Sequence, residues 1–202
     1  MAGKKRVWVF RHGPKASGPA KDGIFASASL KEPEGREVIE KIVSTFLKGQ
    51  KFEGIYTSNL VRAYQTGVIL AEILGMEFPH LVEGLGAPPH ILKLWAGLIA
   101  GLKSYTCFDF FIADPVFVKS EGERVFNTII WLATNATPEG EQILCVSHGG
   151  LIEPAVATAH SLVSQSFEYE IYRIADLKEC EGIIFVFDDE NKFLEVHELR
   201  FR

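Results

Sequence analysis

The sequence predicts an α/β protein in which helices cover both faces of a sheet and a strand meander finishes the chain. Three observations predict it. Short runs rich in β-branched and aromatic residues recur at 5–10, 54–57 and 142–146, each bounded by glycine or polar residues. Longer stretches with apolar residues at helical spacing lie between them. From residue 167 onward the pattern changes to three strand-like runs, 167–174, 182–187 and 192–199.

In chain order, residues 5–10 read as a buried strand. Residues 13–30 are rich in Gly, Pro, Ser, Ala and Lys and lack periodicity, so they form a loop whose length marks it as functional. Pro33 suits the first turn of a helix. Val38, Ile39, Ile42, Val43, Phe46 and Leu47 then make one apolar stripe that Gly49 ends. Residues 54–57 form a second strand, and Ser58 or Asn59 caps a second helix that reaches Gly75. Residues 88–118 stand out as an insertion between the two halves, with a helix-like piece at 91–102 and the aromatic run Phe108-Asp109-Phe110-Phe111. This insertion reads as a lid or pocket wall. Residues 123–133 are helical in pattern, 142–146 form a buried strand and 149–160 are helical again. A turn at Asp188-Asp189-Glu190-Asn191 joins the last two strand-like runs.

A length of 202 residues suits one domain over 1–202, with the 88–118 insertion inside it. Apolar residues make up 47% and charged residues 23%, a globular balance. The net charge of −5, with no basic patch interleaved with aromatics, argues against a nucleic-acid partner. Small anionic substrates stay compatible, because a few arginines in a pocket outweigh an acidic exterior. The basic start of the chain is followed by only four apolar residues, 7–10, too few for a signal-peptide core. No segment approaches the roughly 18 apolar residues of a membrane span. Three cysteines, odd in number and widely spaced, fit a reducing cytoplasm, which leaves the Asn135-Ala136-Thr137 sequon without a role. With no Cys-x-x-Cys, no His-Glu-x-x-His and no nucleotide-binding glycine loop, neither a metal nor a cofactor is expected.

Three segments carry candidate chemistry. Arg11-His12-Gly13 follows the first strand, where ligands of open α/β sheets bind. A neutral imidazole there attacks phosphorus, an adjacent guanidinium forks two phosphate oxygens, and a carbonyl on one ring nitrogen leaves the other as nucleophile. Alone, such a tripeptide is usually a strand-end turn. Val146-Ser147-His148-Gly149-Gly150 repeats the geometry at a second buried strand, with the first amides of the next helix available to an anion. Arg62, in Thr57-Ser58-Asn59-Leu60-Val61-Arg62, falls in the first turn of a helix, where a cation opposes the dipole unless an anion is bound nearby. Two His-Gly turns and a misplaced arginine together outweigh the bland reading of each.

Taken together, these segments and Pro33-Glu34-Gly35-Arg36 resemble the histidine phosphatase superfamily, also called phosphoglycerate-mutase-like, across most of the chain. The resemblance implies a three-layer α/β/α sandwich with a mostly parallel central sheet. It implies His12 as the phosphorylated nucleophile, with Arg11, Arg62 and His148 forming the phosphate pocket, and Gly149 belongs to the same phosphate-binding turn. Leu81-Val82-Glu83 matches the family's Leu-x-Glu stretch, making Glu83 the expected general acid. Glu121 and Glu123, which resemble a Gly-Glu-Ser segment, are expected to be capping or pocket-rim residues. Two departures loosen the tie to the phosphoglycerate mutases. Gly84-Leu85-Gly86-Ala87 stands where Trp-Glu-Gly is frequent, and Pro14-Lys15-Ala16-Ser17 replaces a small polar residue and asparagine. Glu153, just inside the helix after His148, is expected to face outward.

The expected function is hydrolysis of a phosphomonoester through phosphohistidine, on a small phosphorylated substrate or a phosphoprotein. A phosphoglycerate-mutase-type phosphotransferase is the alternative, and an inactive phospho-ligand-binding protein is the second. Residues 92–100 suit either a pocket wall or a homodimer contact. His80, His90, His160, His197 and Cys145 are expected to be structural or exposed.

Overall fold

The computed structural model describes residues 3–16, 28–99, 106–163, 166–174 and 176–201. Strands β1 (Lys5–Arg11), β2 (Ile55–Thr57), β3 (His80–Leu81), β4 (Gln142–Ser147), β5 (Gly182–Phe187) and β6 (Phe193–Leu199) form one sheet in the order β3-β2-β4-β1-β5-β6. The first four are parallel, whereas β5 runs antiparallel to β1 and β6 antiparallel to β5.

Successive strand residues point to opposite faces, and the two faces bury different helices. Trp8, Phe10, Leu144, Val146, Ile184 and Val186 share a core with Ile39 and Ile42 of α1 (Glu34–Ile42) and with Ala63 and Leu70 of α2 (Val61–Leu74). Their sequence neighbours Val7, Val9, Ile143, Cys145, Ile183 and Phe185 pack on the opposite side. That side carries α3 (Pro89–Ile99), α4 (Cys107–Ala113), α5 (Pro115–Asn135), α6 (Ile152–Ser161) and α7 (Phe167–Arg173). The sheet therefore lies between two helical layers, with an antiparallel pair at one edge, as expected for the three-layer class.

Register positions the site. In the β1–β4 pair Arg11 stands opposite Ser147, and in the β2–β4 pair Thr57 stands opposite Val146. Three parallel strands thus end at one level and release Arg11-His12, Ser58 and His148 at the same sheet edge.

Three sequence expectations need correction. Residues 167–174 are not a strand but α7. Ser166 caps that helix by accepting the Tyr169 N–H, and buried Phe167 and Ile171 lie at helical spacing. Helix α2 begins after Leu60 rather than after a side-chain cap at Ser58 or Asn59, because the Ser58 hydroxyl is used elsewhere. Helix α5 starts eight residues before the expected 123, where Asp114 accepts the Phe117 N–H and Pro115 opens the first turn. The first helix passes from α1 into a π-helical turn, Val43–Leu47, before Gly49 at φ 78°. The ends of the 13–30 loop pair at Lys15 and Leu30, and its residues 17–27 lie outside the described residues. So do residues 100–102 of the helix expected at 91–102.

Among the described residues no helix is long and apolar enough to cross a membrane. Helices α5 and α6 approach so closely that a Cβ on Gly122 would lie 2.6 Å from the Pro154 carbonyl oxygen and 2.7 Å from Thr158 Oγ1. Backbone cannot yield there. Gly122→Ala should cost about 1–3 kcal/mol in urea denaturation, and an unchanged midpoint would contradict this packing.

Candidate active site

His12 leaves β1 with its backbone N–H on the Ser147 carbonyl, 3.0 Å away. The Gly13 N–H is fixed by Thr66 Oγ1 at 3.0 Å. His12 Nδ1 lies 2.7 Å from the Gly13 carbonyl oxygen, and Arg62 Nε lies 2.8 Å from His12 Nε2. A carbonyl only accepts and a guanidinium only donates. Nδ1 therefore carries the proton, and Nε2 presents its lone pair.

Arg62 is buried in the first turn of α2 and reaches the second histidine as well. Its Nη2 lies 3.3 Å from His148 Nδ1, and His148 Nε2 lies 2.8 Å from Ser58 Oγ. The same logic makes His148 Nδ1 an acceptor and its Nε2 a donor to Ser58. That hydroxyl also accepts the Leu60 N–H at 3.1 Å, which explains why it is not a helix cap. The two imidazoles sit 5.0 Å apart between centroids.

Burial, and then the charge of Arg62, hold His12 well below the usual histidine range. Burial does the same to His148, followed by the neighbouring His12 and then Arg62. Arg62 itself is lowered to about 10 by burial and by Arg11. Lys15, on the same cavity, is lowered by burial and then by Arg62 and Arg11. The protein gathers cations here at a real electrostatic cost, which a bound dianion would offset.

Arg11 donates through Nη1 to the Leu177 carbonyl and holds Glu179 with Nη2 at 3.4 Å. Its side chain lies against Gly149, where a Cβ would come within 2.9 Å of Nη1. Arg11, His12, Arg62, His148 and Gly149 line one cavity of about 330 Å³.

Two expectations about the turn after His148 change. The Gly150 N–H donates to Glu153 at 2.6 Å, and the Leu151 and Ile152 N–H groups both reach the His148 carbonyl at 3.2 Å. These amides are therefore occupied within the turn. Glu153 does not face outward. It is fully buried because α6 is enclosed on every side over residues 152–159, and its other oxygen accepts the Leu177 N–H at 2.8 Å. Burial pushes its carboxyl up, against the pull of those backbone donors. Glu153 thereby ties the His148 turn to the segment that grips Arg11.

Glu83 is not among the residues that line the His12 cavity. It opens a 3-10 turn, Glu83–Leu85, whose Gly84 and Gly86 carbonyls are held by Arg124 at 2.9 and 2.7 Å. Leu85 points into the core, so the side chain at 83 stays exposed on an adjoining cleft with Asn59, Pro88 and Arg124; the two spaces share Ala87. Arg124 is fixed in turn by buried Glu121 at 2.9 Å, while Glu123 is exposed.

The remaining candidates have structural surroundings. His80 stacks on Tyr56 at 5.3 Å, His160 meets Glu170 at 2.6 Å, and His197 lies 3.7 Å from Glu195. His90 is exposed. Cys145 is fully buried and its thiol is pushed up by burial, as fits a packing group. Among the described residues no group of three or more His, Cys, Asp or Glu is placed to hold a metal ion. Sequence reading missed Lys15, Trp95, Asp176 and Glu179 on the cavity wall. The 13–30 loop pointed toward Lys15 and the 88–118 insertion toward Trp95, and nothing pointed to the other two.

No family model matches the chain, and no curated protein matches it. Solved structures do share its fold. A phosphoserine phosphatase from Entamoeba histolytica, in complex with 3-phosphoglyceric acid, superposes with a TM-score of 0.67 at 18% identity, covering 98% of both chains. A mycobacterial glucosyl-3-phosphoglycerate phosphatase complexed with VO3 gives 0.63 at 19% identity, over 89% of this chain and 92% of that one. A phosphoglycerate mutase from Bacillus anthracis gives 0.62 at 18% identity, over 98% and 90%. The fold is the one these phosphatases and the mutase share, as the motifs had indicated.

Both histidines carry a pH signature. Their folded pKa values lie below the ordinary 6.5, so the unfolded chain takes up protons first as the pH falls. Their contribution is present above about 6.5 and is lost on acidification below it. His148→Asn should flatten the fall in melting temperature just below that pH, and an unchanged slope would contradict a neutral buried His148.

Proposed function

We propose that the chain hydrolyses a phosphomonoester through a phosphohistidine on His12. The observation that carries this reading is the bare Nε2 of a buried neutral imidazole, facing a cavity whose nearest charged groups are guanidinium ions. In the free protein an Arg62 N–H occupies that lone pair. An entering phosphate gives Arg62 oxygens to bind and frees Nε2 for in-line attack.

Bond formation from Nε2 to phosphorus then breaks the ester bond. Arg11 and Arg62 hold the equatorial oxygens as charge builds on them. His148 joins them once Arg62 turns to the phosphate, its proton passing from Nε2 to Nδ1 as the Ser58 hydroxyl turns from acceptor to donor. Gly149 leaves room for Arg11 to lie beside the phosphate. Water next attacks the phosphorus, a carboxylate takes its proton, and the P–N bond breaks to release inorganic phosphate.

The departing oxygen needs a proton, and a general acid must be able to carry one. Glu153 spends both oxygens on the Gly150 and Leu177 N–H groups, Asp176 accepts the Cys107 N–H and Glu179 faces Arg11, so each is engaged in holding the site's own frame. The Glu83 carboxyl has no ion pair or hydrogen bond among the described residues. We therefore assign the acid to Glu83, reaching over Ala87 into the cavity. The three cysteines, buried and free, support placing this activity in a reducing cytoplasm.

His12→Ala should abolish phosphate release from p-nitrophenyl phosphate while leaving the circular dichroism spectrum intact; turnover at the parent rate would refute the mechanism. With heavy-oxygen water, hydrolysis places solvent oxygen in the released phosphate, whereas transfer to a second hydroxyl does not. Glu83→Gln should lower kcat on an alkyl phosphate by roughly 10²- to 10⁴-fold. It should spare the phosphorylation burst on p-nitrophenyl phosphate, whose leaving group departs unprotonated. An equal loss on both esters would remove Glu83 from the acid role.

A further inference from the structure

The cavity has two unlike ends. One is the cationic cradle around His12. The other carries an apolar wall among the described residues, formed by Leu92, Trp95, Cys107, Phe110 and Leu151. Trp95 stacks on Phe110 with ring centroids 5.2 Å apart and 23° between planes. Phe117 meets the indole edge-on at 6.4 Å and 84°.

Gly150 decides how close this wall comes to the chemistry. It sits at φ 80°, and a Cβ there would lie 2.8 Å from the Trp95 ring. The bare glycine lets the indole rest on the turn that carries His148. The wall therefore begins beside the phosphate cradle, where the first atoms beyond a substrate's ester oxygen must go.

Several polar groups at this end are already engaged. Both Glu153 oxygens accept backbone N–H groups, Asp176 Oδ1 accepts the Cys107 N–H at 2.9 Å, and the Thr106 hydroxyl is shared with Asp109 in a capping box. A leaving group rich in hydroxyls would give up its water here and find few partners. An aromatic ring would exchange water for the indole and phenyl faces. A volume of about 330 Å³ accommodates a phosphoryl group and one ring.

We infer that the substrate is a phosphomonoester of a ring-bearing alcohol, aryl or arylmethyl, and that Trp95 is the residue that selects it. This rests on the hydrolase reading. Benzyl phosphate and glycerol phosphate are both unactivated alkyl esters, so their comparison isolates recognition of the leaving group. The parent protein should favour benzyl phosphate in kcat/KM by roughly 10- to 100-fold. Trp95→Ala should bring that ratio close to one, and Trp95→Phe should retain most of it. Calorimetry on His12→Ala should show benzylphosphonate binding more tightly than methylphosphonate. Equal or better use of glycerol phosphate overturns the inference, and so does a Trp95→Ala variant that weakens both esters alike. If neither ester is hydrolysed the hydrolase reading fails, and the phosphonates alone decide: benzylphosphonate binding no tighter than methylphosphonate sinks the ring assignment.

Discussion

One buried guanidinium sets the chemistry of this protein. Arg62 touches a nitrogen of His12 and a nitrogen of His148, and it has only protons to offer either of them. Both contacted nitrogens must therefore be bare. The protons move to the far side of each ring, where the Gly13 carbonyl and the Ser58 hydroxyl receive them. A single side chain thus fixes two tautomers, and the same burial that makes Arg62 costly keeps both imidazoles neutral. Cations buried this close together favour an anion beside them.

The sheet supplies what Arg62 needs. Parallel pairing of β1, β4 and β2 brings three strand ends level, so residues distant in sequence arrive at one edge without a long loop. Helix α2 starts directly above that edge and places Arg62 in its first turn. Glu153 completes the frame from behind, joining the His148 turn to the segment around Leu177 that orients Arg11. The proposed chemistry depends on this rigidity, since an in-line attack tolerates little error in position.

Much of this was legible in the sequence, for identifiable reasons. Strands β1 and β4 are buried on both faces, so their apolar runs were unmistakable, and each ends in a His-Gly turn. Arg62 betrayed itself by opposing a helix dipole. What stayed hidden depended on the third dimension. Phe167 and Ile171 fit a strand as readily as a helix until Ser166 is seen to cap α7. Glu153 looked like an ordinary acidic residue in a first turn, because nothing local reveals that α6 is enclosed on every side. Trp95 and Glu179 reach the cavity from segments far along the chain, with no motif to announce them. Glu83 was read from a motif whose turn leaves its carboxyl exposed beside the cavity rather than inside it.

The central claim is that His12 Nε2 is the nucleophile because Arg62 and Gly13 leave it no other role. Rapid quenching into base during turnover, followed by phosphorus NMR of the denatured protein, tests this directly. The account predicts a single acid-labile phosphohistidine at residue 12 with phosphorus on Nε2. Phosphorus on Nδ1, or a phosphoryl group on any other residue, would contradict it.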